Sequence, residues 1–296
     1  MSFPAISLLA LVLASSAPSQ TVVRDLVYCD LATAPFNRLD VYLPISAAPK
    51  QGYPVVVGVH GGGWVAGTKE ETGRRLQPLT QHGFVVVVPN YLLANAQKPA
   101  WPIDAEMIRE SVRWVRSQKL VAGVRINPDR IAILGESAGG QLAEFVGSSP
   151  DAPISGVLPW SQGTLGRSGV SAEVNAVVSF FGIPDMISIT ANPYLANDLE
   201  ILFGIDLHRG EAVYREASPI RIIQPTTPPT LLIHGSSDEV IPVIESKRYY
   251  QALRSHKIAC ELVIIPKGTH GMLANRKPMI NPQTLDRVAN FLSTVP

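Results

Sequence analysis

The chain has 296 residues, 46% of them hydrophobic and 17% charged. That is enough for a large packed core and the wrong balance for disorder or a solvated tail. A formal net charge of +1, with no run of Lys or Arg longer than two residues, argues against binding nucleic acid or an acidic membrane through charge.

The chain opens on MSFPAISLLALVLASSAPSQ, an apolar run from Ile6 to Ala14 followed by Ser15, Ser16 and Ala17. This has the length of a secretory signal peptide and falls short of the ~20 apolar residues that a membrane span needs. Residues 1–20 are therefore expected to direct secretion and are set apart from the fold, although no Lys or Arg precedes the run. Next, NRLDVYLP alternates apolar and polar residues, the pattern of a half-exposed strand. YPVVVGVHGGGW and HGFVVVVPNY are continuous apolar runs, as strands buried on both faces are. Residues 103–118 set Met107, Ile108, Val112 and Val115 close to helical spacing. INPDRIAILGES, EVNAVVSFFG, PTLLIHGSSD and ACELVIIPKGTHG each read as a strand. Helical stretches follow at 242–257 and near the end, where Asn281 is the expected N-cap with Pro282 at the first helical position.

Buried strands alternating with amphipathic helices predict an α/β fold, a mostly parallel sheet with helices on both faces, in one domain over residues 21–296. Two stretches break the alternation, 147–172 and 183–226. Both lie late in the sheet, where loops at strand carboxyl ends shape binding sites, and both are expected to act as lid-like insertions. Cys29 and Cys260 fall on strands at opposite ends of the sheet, so two free thiols are expected rather than a disulfide. The six histidines and two cysteines form no H-E-x-x-H or C-x-x-C pattern. No metal and no cofactor is expected.

The chemistry centres on RIAILGESAGGQLAEF. Gly135-Glu136-Ser137-Ala138-Gly139 lies between a predicted strand and a predicted helix, where a G-x-S-x-G turn projects its serine above the sheet edge. Gly135 and Gly139 let strand and helix pack closely. A tight turn with a capping serine would share this pattern, so the partners must decide. A nucleophilic serine needs a base, and the base needs an orienting acid, in the chain order Ser, Asp or Glu, His. Asp238 follows the strand TLLIHG and His270 follows ELVIIP, both at strand carboxyl ends. Asp185, after SFFGIP, is the second choice for the acid. His234 reads as structural, and His82, His208 and His256 lie outside any comparable constellation. Acyl transfer also needs donors aimed at the oxyanion. VHGGGW supplies backbone amides, with Gly62 and Gly63 the expected pair, joined by the amide of Ala138. A phosphate cradle would need a following Gly-Lys-Ser/Thr, which is absent.

HGGGWVAGTK, INPDRIAILGESAGGQLA, VNAVVSFFGIPD, TPPTLLIHGSSDEVIPV and GTHGM together resemble the α/β-hydrolase carboxylesterases, in particular the feruloyl- and acetyl-xylan-esterase-like branch related to hormone-sensitive lipase. The resemblance runs from about residue 38 to the C-terminus. It implies a serine ester hydrolase with nucleophile Ser137, acid Asp238 and base His270, without a cofactor. Its implied partner is a small-molecule ester with a short or aromatic acyl group. Two departures stand out: Gln141 occupies a position where that branch commonly carries His, and 147–172 is individual. Three rivals stay open: lactone formation or transacylation on the same triad, a formamidase or amidase, and a binding protein that has lost catalysis.

Overall fold

Each Val-rich run becomes a strand whose alternate side chains serve two cores. The computed structural model describes residues 21–155, 167 and 169–295; the leader lies outside them. The strands are β1 (Val22–Val27), β2 (Arg38–Tyr42), β3 (Tyr53–Val59), β4 (Val85–Pro89), β5 (Leu120–Val121), β6 (Val124–Glu136), β7 (Ala176–Phe180), β8 (Thr230–Gly235) and β9 (Cys260–Ile265). They form one sheet in the order β1-β2-β4-β3-β6-β7-β8-β9, with β5 paired to the start of β6. β2 runs antiparallel to β1 and β4, and every pairing from β4 across to β9 is parallel.

The helices are α1 (Lys69–Leu76), α2 (Ile103–Ser117), α3 (Ala138–Ser148), α4 (Ala196–Phe203), α5 (Leu207–Glu216), α6 (Ile244–Ser255) and α7 (Pro282–Thr294). On one face of the sheet Val55, Val57, Ile131 and Ile133 share a core with Ile108 and Val112 of α2 and Leu142 and Phe145 of α3. On the other, Val56, Val86, Val88 and Leu134 share a core with Leu76 of α1 and Leu285, Val288 and Leu292 of α7. This period-two division is what a sheet covered on both faces requires. Asn281 caps α7 as expected, its side chain accepting from Thr284 N while the Thr284 hydroxyl accepts from Asn281 N.

The differences from expectation have a common cause. β2 is not half-exposed: Leu39 to Tyr42 are all buried. Asp40 tolerates this because Lys69 Nζ (2.7 Å) and Arg24 Nη1 (2.8 Å) pair with its carboxylate. Likewise α2 buries Glu106, Arg109, Glu110 and Arg113, where Arg113 bonds Glu110 at 3.0 Å and Asp151 at 2.8 Å. Polar letters here mark internal ion pairs rather than solvent. α1 was not expected, and the edge strand expected to hold Cys29 is β1, which ends at Val27. Cys29, just past β1, and Cys260, opening β9, are free thiols at opposite edges of the sheet. Among the described residues no helix is long and apolar enough to cross a membrane.

Candidate active site

Every expected site residue comes from the carboxyl end of a parallel strand or the turn beyond it. β6 ends at Glu136 and α3 begins at Ala138. Ser137, alone between them, takes φ 53° and ψ −122°, a conformation that non-glycine residues seldom adopt and that persists only where its surroundings enforce it. They do so here by close approach. A Cβ on Gly135 would lie 2.0 Å from Gly139 O, and one on Gly139 would lie 2.3 Å from His60 O. The Ser137 amide donates to Phe180 O at 2.9 Å, fixing the turn to β7.

β8 and β9 bring the other two members to this serine. His270 Nε2 lies 3.1 Å from Ser137 Oγ, and His270 Nδ1 lies 2.9 Å from Asp238 Oδ2. With Nδ1–H donating to the carboxylate, Nε2 is left to accept the serine proton. Asp238 is held on both oxygens: Oδ1 accepts from the amides of Val240 (2.9 Å) and Ile241 (2.8 Å). Burial opposes its charge, but hydrogen bonds from His234 and His270 and the Ile241 amide prevail and hold the carboxyl well below the usual carboxylate range. His234 has the structural part expected of it. Ser246 Oγ–H donates to its Nδ1 at 2.7 Å, and its Nε2–H donates to Ile241 O at 2.8 Å, 3.4 Å from Asp238 Oδ2. Asp185 sits elsewhere, between Arg221 (3.1 Å) and Arg248 (3.2 Å), so the structure does not bring this second-choice acid to His270.

The loop after β3 lies against the serine. Gly62 has φ +118°, and a Cβ there would meet Ala66 O at 2.2 Å. Among the described residues nothing accepts from the amides of Gly62, Gly63 or Ala138, which leaves these donors free for a substrate oxygen. Beneath the loop, the His60 ring stacks on Tyr91 at 4.1 Å and donates from Nδ1 to Gly61 O at 2.8 Å. Burial pulls this imidazole down to about 4, so it is neutral at neutral pH.

A cavity of about 570 Å³ opens over Ser137 and His270. Its apolar lining comprises Phe181, Leu195, Val240 and Met272, together with Tyr194, which is 66% exposed. Its charged lining comprises Glu71, Arg75, Glu136 and Asp198, with Arg75 paired to Glu136. Tyr194, Leu195 and Asp198 come from the 183–226 insertion, which thus walls the site. Of the 147–172 insertion, residues 156–166 and 168 lie outside the described residues, and its described ends do not line the cavity. Sequence reasoning missed Phe181, whose ring meets the His270 ring edge-on at 4.7 Å and whose φ is +40°. The signal was available: Phe181 follows β7 directly, at the same sheet edge as the other members.

The BD-FAE family model matches residues 39–253. Esterase LipC of Mycobacterium tuberculosis is 30% identical over 88% of this chain and 63% of its own length. Isoprenylcysteine alpha-carbonyl methylesterase ICME of Arabidopsis thaliana is 27% identical over 88% of this chain and 59% of its own. The chain spans between 50% and 63% of the length of the three mycobacterial proteins it matches. In fold it is similar to a truncated carbohydrate esterase from gut microbiota, with a TM-score of 0.79 and 24% identity, covering 92% of this chain and 95% of that one.

Proposed function

The chain belongs to the BD-FAE family and has the α/β-hydrolase fold, and from that premise we propose that it is a serine-dependent carboxylic ester hydrolase. One observation carries the reading: the continuous relay Ser137–His270–Asp238, at 3.1 and 2.9 Å, on the floor of a cavity. Ser137 Oγ attacks the ester carbonyl as His270 Nε2 takes its proton, and Asp238 holds the imidazole in the required tautomer and stabilises the cation that forms. The amides of Gly62, Gly63 and Ala138 receive the oxyanion. As the tetrahedral intermediate collapses, the bond to the alcohol oxygen breaks, and His270 gives its proton to that oxygen. Water, deprotonated by His270, then attacks the acyl-enzyme, and collapse returns the proton to Ser137 while the carboxylic acid departs.

The cavity supports short or aromatic acyl groups. Its apolar lining residues accept a flat or small acyl chain, and its carboxylates and Tyr194 suit a hydroxylated alcohol such as a sugar. The carbohydrate esterase of the same fold and the acetylxylan esterase of Xylanibacter ruminicola, 23% identical over 81% of this chain, lend support to carbohydrate-linked esters. Secretion is part of the same proposal, supported by the apolar run Ile6–Ala14 and the small residues after it. The test is a panel of acetyl, butyryl, long-acyl and feruloyl esters given to wild type and Ser137→Ala. Short and feruloyl esters are expected to turn over with wild type alone, and near-wild-type turnover by Ser137→Ala refutes the reading. Product analysis with a hydroxy-acyl ester separates hydrolysis from lactone formation.

A further inference from the structure

Between the glycine loop and the elbow helix lies a polar contact that the relay leaves unused. Gln141 stands in the first turn of α3, four residues past the serine, and its amide N–H donates to Ser137 O at 3.1 Å. Its side chain is fully buried. Each end of that side chain reaches a different segment: Oε1 accepts the Trp64 indole N–H at 3.1 Å, and Nε2 donates to Ala217 O at 2.9 Å. Indole can only donate and a carbonyl can only accept, so the amide has one allowed orientation. A flipped amide would set donor against donor and acceptor against acceptor.

Both partners matter to the cavity. Trp64 ends the Gly61–Gly63 loop, is fully buried and has φ +61°, a backbone state that must be imposed from outside. Ala217 closes α5, within the insertion that supplies Tyr194, Leu195 and Asp198 to the cavity lining.

We propose that Gln141 is a positioning residue, a clamp that fixes the amides of Gly62 and Gly63 relative to Ser137 by holding Trp64. The clamp rests on the serine-hydrolase reading only in requiring that an oxyanion form at Ser137. The serine and Gln141 share one helical turn, so Ser137, Gln141, Trp64 and Gly63 form a short rigid path between nucleophile and oxyanion donors. Without the Gln141 oxygen, the buried indole N–H has no acceptor, and the loop relaxes away from its set position. A displacement of about 1 Å at a reacting centre is enough to cost on the order of a hundredfold in rate.

The experiment compares wild type with Gln141→Leu, which keeps the bulk and removes both hydrogen bonds. Trp64→Phe is a second variant that removes the N–H and leaves Gln141 in place. Four quantities are read on titrated enzyme: kcat and KM on p-nitrophenyl acetate, the inhibition constant of a trifluoromethyl ketone that forms an oxyanion on the serine, and the rate of labelling by a fluorophosphonate. Each single variant is expected to lower kcat by about tenfold to a hundredfold, with KM within about threefold and the ketone weakened by the same factor as kcat. The double variant is expected to be no more than about threefold slower than either single one, because both single variants already lose the same Gln141–Trp64 bond. Per-site kcat and labelling rate within about twofold of wild type in either variant would overturn the clamp, even if its melting temperature fell. A wild type that labels but turns over no ester would sink the ester-hydrolase reading alone, and the labelling rates would still decide the clamp.

Discussion

Replacing Glu144 with Gln is expected to stabilise the protein at neutral pH and to leave it nearly unchanged in acid. Glu144 lies on α3, two turns past Ser137, fully buried among Ser179, Gly182 and the charge of Glu245. Burial pushes its carboxyl up to about 8, from an ordinary 4.5 in the unfolded chain. Below pH 4.5 both states carry the proton and the group costs nothing. Above it the unfolded chain ionises while the folded one does not, so folded stability falls with rising pH until about pH 8. At about 1.4 kcal/mol per pH unit, the loss at pH 7 is about 3 kcal/mol. Glu144→Gln has the same shape and no proton to lose, so it escapes that loss. Urea unfolding of both proteins at pH 5, 7 and 8, followed by tryptophan fluorescence, measures the gap. It should be below about 1 kcal/mol at pH 5 and grow by about 1.4 kcal/mol per pH unit to pH 7. A gap independent of pH, or a variant less stable at pH 7, would refute the reasoning.

Other perturbations test the walls of the cavity. Gly62→Ala forces a Cβ to 2.2 Å from Ala66 O and should displace an oxyanion amide, lowering kcat on the order of 10²–10³-fold. Steady-state kinetics on titrated enzyme check this, and an unchanged kcat would remove Gly62 from that role. Asp198→Asn should raise kcat/KM for a succinyl half-ester relative to an acetyl ester by about threefold to tenfold at low salt. The reason is that Glu71, Glu136 and Asp198 outnumber Arg75 in the cavity lining. A ratio that did not move, or that ignored salt, would contradict it.

The parts of the site legible in the sequence are those that a strand end carries. Ser137, Asp238 and His270 could be brought together on paper because each follows a buried apolar run, and parallel strands put all such ends on one edge. The loop at Gly61–Gly63 was legible for the same reason, since glycines after a strand mark backbone that something must approach closely. What stayed hidden depends on contacts between distant segments. Gln141 appeared only as a departure from a resembling family, because its partners Trp64 and Ala217 lie 77 and 76 residues away. Asp198 and Tyr194 sit in an insertion without strand-helix rhythm, and nothing in their own neighbourhood points to the cavity. Asp40 fell in a stretch read as half-exposed, because polarity marks exposure only while no buried partner exists, and here Lys69 and Arg24 supply such partners.

The central claim is that Ser137 is the nucleophile, and mass spectrometry after fluorophosphonate treatment tests it most directly. The account predicts one adduct per chain, on the tryptic peptide 131–167 at Ser137, forming in step with the loss of ester turnover. Labelling on another residue, or full loss of labelling with turnover intact, would contradict it.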